Sequence, residues 1–177
     1  AMGTFDDVNA ISKIAVNTHL AGAAGTVTGA AFTRLIGGKT AIVMMLNGAL
    51  AGLVAITAEP LTPGPITAMV IGSIGAVIMY YGTKLLENLG LDDVVGAIPV
   101  HMFAGIFGTL VVPFTNSETS FGTQFVGVIS VCVFSFVLSW ITFSTLKSTV
   151  GLRISKAAEK LGTDKAEVGV IAYSIRD

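Results

Sequence analysis

The sequence predicts an all-α, polytopic helical membrane protein, and three observations predict it. Hydrophobic residues make up 53% of the chain and charged residues only 12%, with a mean hydropathy of +0.81; soluble domains run at about 45 to 50% apolar and about 25% charged. The few charges divide the chain into long uncharged stretches rather than scattering along it. Glycine supplies 21 of the 177 residues, many of them inside apolar runs, which suits close helix packing in lipid better than disorder.

Stretches free of Asp, Glu, Lys and Arg run from Ile14 to Thr33, Thr40 to Ala58, Pro60 to Thr83, Val94 to Ser117 and Thr119 to Leu146. Each reaches the roughly 20 residues that an α-helix needs to cross about 30 Å of hydrocarbon. Helices are therefore expected at about 10–36, 40–58, 65–88, 93–114 and 120–148, forming a transmembrane domain over residues 1–150. A β-barrel is disfavoured, because its strands would be near 10 residues long and alternate apolar with polar, whereas Ile66 to Tyr81 is apolar on all sides.

Small residues indicate how these helices meet. Gly25 and Gly29 in the first, and Gly48 and Gly52 in the second, are spaced four apart and fall on one helical face where backbones can approach closely. Gly72 and Gly75, and Gly105 and Gly108, suggest the same use. Residues 151–177 are short, charged and mixed in pattern, so they are expected to form a tail; Leu152 to Leu161 fits one helix ending at Gly162.

Loop charges orient the helices. Arg34, Lys39, Lys84, Lys147, Arg153, Lys156, Lys160, Lys165 and Arg176 fall on one side, nine of the ten basic residues; Lys13 stands alone on the other, with Asp6, Asp7, Glu59 and Glu118. Cytoplasmic flanks carry the Lys/Arg excess, so the C-terminus is expected in the cytoplasm and the Pro60–Pro65 loop outside. A net charge of -1 supplies no basic field for nucleic acid. Cys132 is alone and forms no internal disulfide. The start, Ala1 to Asn9, lacks the basic and apolar regions of a secretory signal.

His101 is the informative polar residue. It lies in the fourth span, in Asp92-Asp93-Val94-Val95-Gly96-Ala97-Ile98-Pro99-Val100-His101. An ionisable residue within a membrane span is a functional candidate because its burial costs energy unless it is paired or wet. A neutral imidazole offers one donor and one acceptor nitrogen and can share a proton without holding a charge in lipid; a hydrogen-bonded structural histidine is the competing reading. Pro99 weakens the local backbone ladder and can kink the helix. Asp92 and Asp93 suit the helix N-terminus as caps. His19 lies nearer the outer end and fits an interfacial or packing role. Phosphate loop, nucleophile elbow and zinc-ligand cluster are all missing from the sequence, so neither an enzyme nor a cofactor is expected.

The stretch Asn47 to Thr57 and the stretch from Asp92-Asp93 to Gly108-Thr109-Leu110, with its Pro-Val-His core and Gly-Ile-Phe-Gly ending, resemble the ammonium transporter (Amt) family. Asn17-Thr18, Gly151-Leu152-Arg153, Gly162-Thr163-Asp164, Glu167, Gly169 and Ala172-Tyr173 extend the likeness over nearly the whole chain. The resemblance implies the seventh to eleventh helices, plus cytoplasmic tail, of an eleven-helix inverted-repeat fold in a cell (inner) membrane. It further implies a homotrimer with one pore per subunit, ammonium or ammonia as substrate, and a PII-type signal protein as a tail partner. His101 matches the second histidine of the family's pore pair, and Asp93 the acidic residue at the start of that helix. Val168 stands where a histidine often follows the glutamate in the family's tail. An ammonium-sensing Amt-like domain and a Rhesus-type gas channel are the alternatives that the resemblance leaves open.

Overall fold

The computed structural model describes residues 3–172; the expected tail features at Tyr173 and Arg176 lie outside the described residues. Five main helices follow one another: α1 Phe5–Gly37, α2 Ile42–Ile56, α3 Pro65–Asn88, α4 Ile98–Phe114 and α5 Phe121–Thr149. A short α6, Lys156–Leu161, and a π turn, Asp164–Val168, follow. Strands are absent among the described residues. The chain divides into two units, Ala1–Ser130 and Val131–Asp177, that meet within α5.

Local chemistry sets the helix ends. Expected near residue 10, α1 starts earlier because Thr4 and Asp7 form a capping box: Thr4 Oγ1 accepts the Asp7 N–H at 3.2 Å and the Asp7 carboxylate accepts the Thr4 N–H at 3.1 Å. It stops where Gly38 turns left-handed at φ +72°. Pro65 occupies the first turn of α3, where a missing N–H breaks no helical bond. α6 begins at Lys156 rather than at Leu152, because Ser155 Oγ caps the Ala158 N–H at 3.1 Å, and it ends against Gly162.

Within the first unit α1, α2 and α3 pack mutually, and α4 lies against α2 and α3. The contacts are backbone on backbone. A Cβ on Gly48 would stand 2.6 Å from the Gly25 carbonyl oxygen, and one on Gly29 2.5 Å from that of Met44. Gly72 faces the Ala21 carbonyl and Gly108 that of Ala55 with no room for a side chain. Only glycine allows such approach. Gly105 differs from the expectation: a Cβ there would meet Val54 Cγ1 at an ordinary 3.5 Å. Around these seams sit two apolar clusters, Ala21, Ala55, Ile56, Ala68 and Ile71, and Ala51, Met79, Val100 and Ala104.

α3 and α5 are each long and apolar enough to cross a membrane, and α2 and α4 are shorter apolar helices. α5 buries none of its residues and carries Phe, Val, Ile and Trp on all sides.

Candidate functional site

α4 is three kinds of helix in one. Ile98–Phe103 is a π segment, Ala104–Val111 is α-helical, and Val112–Phe114 tightens into a 3-10 turn. The expected start near residue 93 falls instead on a turn, because Gly96 adopts φ +73° and breaks the helical path. Pro99 stands in the π segment without an N–H to offer. Short π segments inside helices are rare and recur at functional sites.

This segment positions His101. Pro99 and Val100 are buried, while His101 and Met102 are exposed in this chain. Proline bulk faces Gly82 of α3, where an added Cβ would lie 3.0 Å from Pro99 Cβ. The imidazole is thus held away from the bundle by two side chains that cannot leave it.

Asp93 lies five residues ahead of the first residue of α4 rather than in the helix. Its Oδ1 accepts the Ala97 N–H and its Oδ2 the Ile98 N–H, both at 2.8 Å. Those amides have no partner within the helix, so the carboxylate satisfies them and lies where the helix dipole favours a negative charge. One turn residue over, Asn47 Nδ2 of α2 donates to the Val95 carbonyl at 3.1 Å.

At the opposite ends of α2 and α4 a second set of polar contacts ties the loops. Asn17 is fully buried, and its Nδ2 donates to the carbonyls of Pro60 at 2.8 Å and Pro63 at 2.9 Å. Its Oδ1 is buried without a partner among the described residues. Glu59 accepts the N–H groups of Leu61 and Thr62 with one oxygen and the Asn116 amide with the other, at 3.1, 3.2 and 3.2 Å.

His19 is separate from all of this: it is exposed, with Nδ1 2.7 Å from the Ala15 carbonyl of its own helix. In the sequence Asn17 and Asn47 carry no mark beyond their place in the family-like stretches. The available signal was an amide side chain in an uncharged run, which burial obliges to find partners. Phe32, Tyr80 and Tyr81 form an aromatic trio that no sequence pattern announces: Phe32 meets Tyr80 edge-on at 5.8 Å and Tyr81 at 6.2 Å, and Lys84 Nζ lies 4.7 Å from the Tyr80 ring centre.

Backbone-packed apolar helices, an interrupted helix and a single imidazole on its uncovered side describe a polytopic helical membrane protein. A sequence model of the Ammonium Transporter Family matches residues 2–173, and the chain belongs to that family. It is 40% identical over 183 residues to ammonium transporter Amt2 of Archaeoglobus fulgidus, covering 92% of this chain and 39% of that protein. With ammonium transporter Amt1 of Methanocaldococcus jannaschii it shares 33% identity over 172 residues, 93% of this chain and 43% of the relative. Among solved structures, one titled Sensor Amt Protein superposes with a TM-score of 0.82 at 32% identity, over 89% of this chain and 42% of the other. Mep2 of Candida albicans superposes with a TM-score of 0.76 at 25% identity, over 89% and 40%. The chain therefore spans about two-fifths of the length of these relatives.

Proposed function

We propose that this chain forms one wall of a pore that carries ammonium, as ammonia, across a cell membrane, with His101 in the pore. The observation that carries the reading is the π segment, which buries Pro99 and Val100 and turns His101 outward from an apolar bundle. A relative named as an ammonium transporter at 40% identity supports the substrate. Ammonium would release its proton near the outer mouth, ammonia would cross the apolar lumen, and the neutral imidazole would share the proton or orient the substrate. Alkali cations would be excluded by the cost of dehydration in a lumen without carboxylate rings. Asp93 acts on this pore indirectly, by holding the start of the helix that bears His101.

The uneven Lys/Arg distribution supports a cytoplasmic C-terminus, and kinship supports an inner-membrane protein. The same kinship supports a homotrimer and the docking of a PII-type signal protein on the exposed, charged tail. Covering two-fifths of its relatives, the 177-residue chain alone should give no ammonium-dependent current; the remaining pore wall comes from further residues. A second reading, an ammonium-sensing domain, is favoured by the superposition on a structure titled as a sensor.

The test is made in the complete transporter. His101→Leu keeps the volume and removes both nitrogens, so trimer yield should hold while the current accompanying ammonium flux in liposomes falls or loses its coupling. His101→Lys should be worse, since a charge at mid-membrane costs on the order of 2.5 to 3.5 kcal/mol. Unchanged flux, current and selectivity over potassium in His101→Leu would refute a pore role. A sensor would instead keep ligand binding with negligible flux.

A further inference from the structure

We infer that Asn47 and Gly96 form a latch that sets the rotation of the π segment and thereby aims His101, making both positioning residues for the pore. The assignment of this latch to transport rests on the pore reading above, while its structural basis does not.

The turn before α4 is held from three directions. Asp93 takes the N–H groups of Ala97 and Ile98, as described. The Gly96 carbonyl accepts the Val100 N–H at 3.2 Å, so Gly96 supplies the first acceptor of the ladder that leads to His101. The Gly96 N–H in turn bonds the Asp93 carbonyl at 3.1 Å. These bonds lie within residues 93–100 and shape the turn, while buried Pro99 and Val100 anchor its far end against the bundle. Asn47 supplies the outside contact at the turn itself. Its amide reaches from α2 to the Val95 carbonyl, and it also fills the space in front of Gly96: a Cβ there would stand 2.6 Å from Asn47 Nδ2.

Asn47 is itself set deep in the bundle. It is 9% exposed and directly precedes Gly48, whose backbone touches Gly25 of α1. Turning the segment about its axis would separate Val95 from Asn47 or drive Gly96 into the amide. A π segment is a poor ladder on its own, so an external clamp is what keeps its side chains in register. Gly96 serves twice: the φ of +73° disfavours any side chain, and the absence of Cβ admits the amide.

The complete transporter, labelled with 15N-histidine in lipid nanodiscs, should give ring signals of His101, identified by their loss in His101→Leu, and of His19, identified by their loss in His19→Gln. Asn47→Ala removes the donor and replaces it with a strong helix former. It should move the His101 ring signals, leave those of His19 in place, and speed exchange of the Val100 amide by roughly tenfold, as expected for loss of one buried hydrogen bond. Gly96→Ala should do the same by a different route, and the double variant should move His101 less than the sum, because the clash disappears with the amide. Unmoved His101 signals in a folded Asn47→Ala protein overturn the latch. If that variant does not fold, unmoved His101 signals in Gly96→Ala overturn it equally. Moved signals together with normal ammonium transport by His101→Leu would sink the pore reading and leave the latch standing; the reverse pair of results would sink the latch alone.

Discussion

α1 and α5 are the two longest helices, yet α5 alone of the pair is apolar enough to cross a membrane by composition, and they meet their surroundings in opposite ways. The buried face of α1 consists of Asn17, Ala21, Gly22, Gly25, Gly29 and Thr33, small or hydrogen-bonding residues that let another backbone come close. α5 offers Phe134, Phe136, Trp140 and Phe143, all more than half exposed, and buries nothing. In lipid there is no hydrophobic gain from hiding a large side chain against another helix, so association depends on close van der Waals contact and polar pairing. A helix that packs is recognised by what it lacks, and a helix rich in bulky residues is one that lipid can cover.

The largest expected effect tests that contrast directly. Gly25→Ala puts a methyl group onto the Gly48 carbonyl and should cost about 1 to 3 kcal/mol in a reversible detergent-unfolding titration. Gly127→Ala in α5 meets nothing within 4 Å among the described residues and should stay within about 0.5 kcal/mol. Equal losses at the two glycines would erase the distinction between the helices. Next in size is Asn17→Ala, which strips two bonds from the Pro60–Pro63 loop but also removes an unpartnered buried oxygen. The net loss should be about 1 to 2 kcal/mol, with faster amide exchange at Leu61 and Thr62. If exchange there is unchanged, the loop is held by Glu59 and not by α1.

The smallest effect concerns the first turn of α1. The Thr4 hydroxyl, then the N–H groups of Thr4 and Gly3, hold the exposed Asp7 carboxyl below its ordinary 3.8. A depressed carboxyl contributes order that is present above its unfolded value and is lost as pH falls through the folded one. Fraying of residues 4 to 7, followed by amide shifts, should therefore begin near pH 4 and grow below it. Asp7→Asn should flatten the profile; a profile that persists in the variant would assign it to another group.

Helical class was legible because charge marks the span limits at Arg34, Lys39, Glu59 and Lys84, and membranes penalise charge strongly. The glycine seams were legible from their spacing of four, although Gly105 is a reminder that spacing says nothing of the opposite wall. The beginning of α4 was not legible. Asp93 and Pro99 both promote helix starts, and the choice between them was made by the positive φ of Gly96, beside a Val95 carbonyl bonded by an amide from a helix nearly fifty positions earlier. His101 stood out as an ionisable side chain in an apolar run. The buried amides of Asn17 and Asn47 did not, because an asparagine in a membrane span reveals its partners only once the loops are folded over it.

The glycine seam between α1 and α2 also bears on motion. Where side chains interdigitate, helices can slide by switching rotamers, and many conformational changes consist of such shear. Gly25, Gly29, Gly48 and Gly52 have no rotamers, and the carbonyls they touch belong to rigid helical ladders. The pair is therefore expected to move as one body, a stator against which looser parts can work. Relative motion within the first unit would be left to the loops that join the helices.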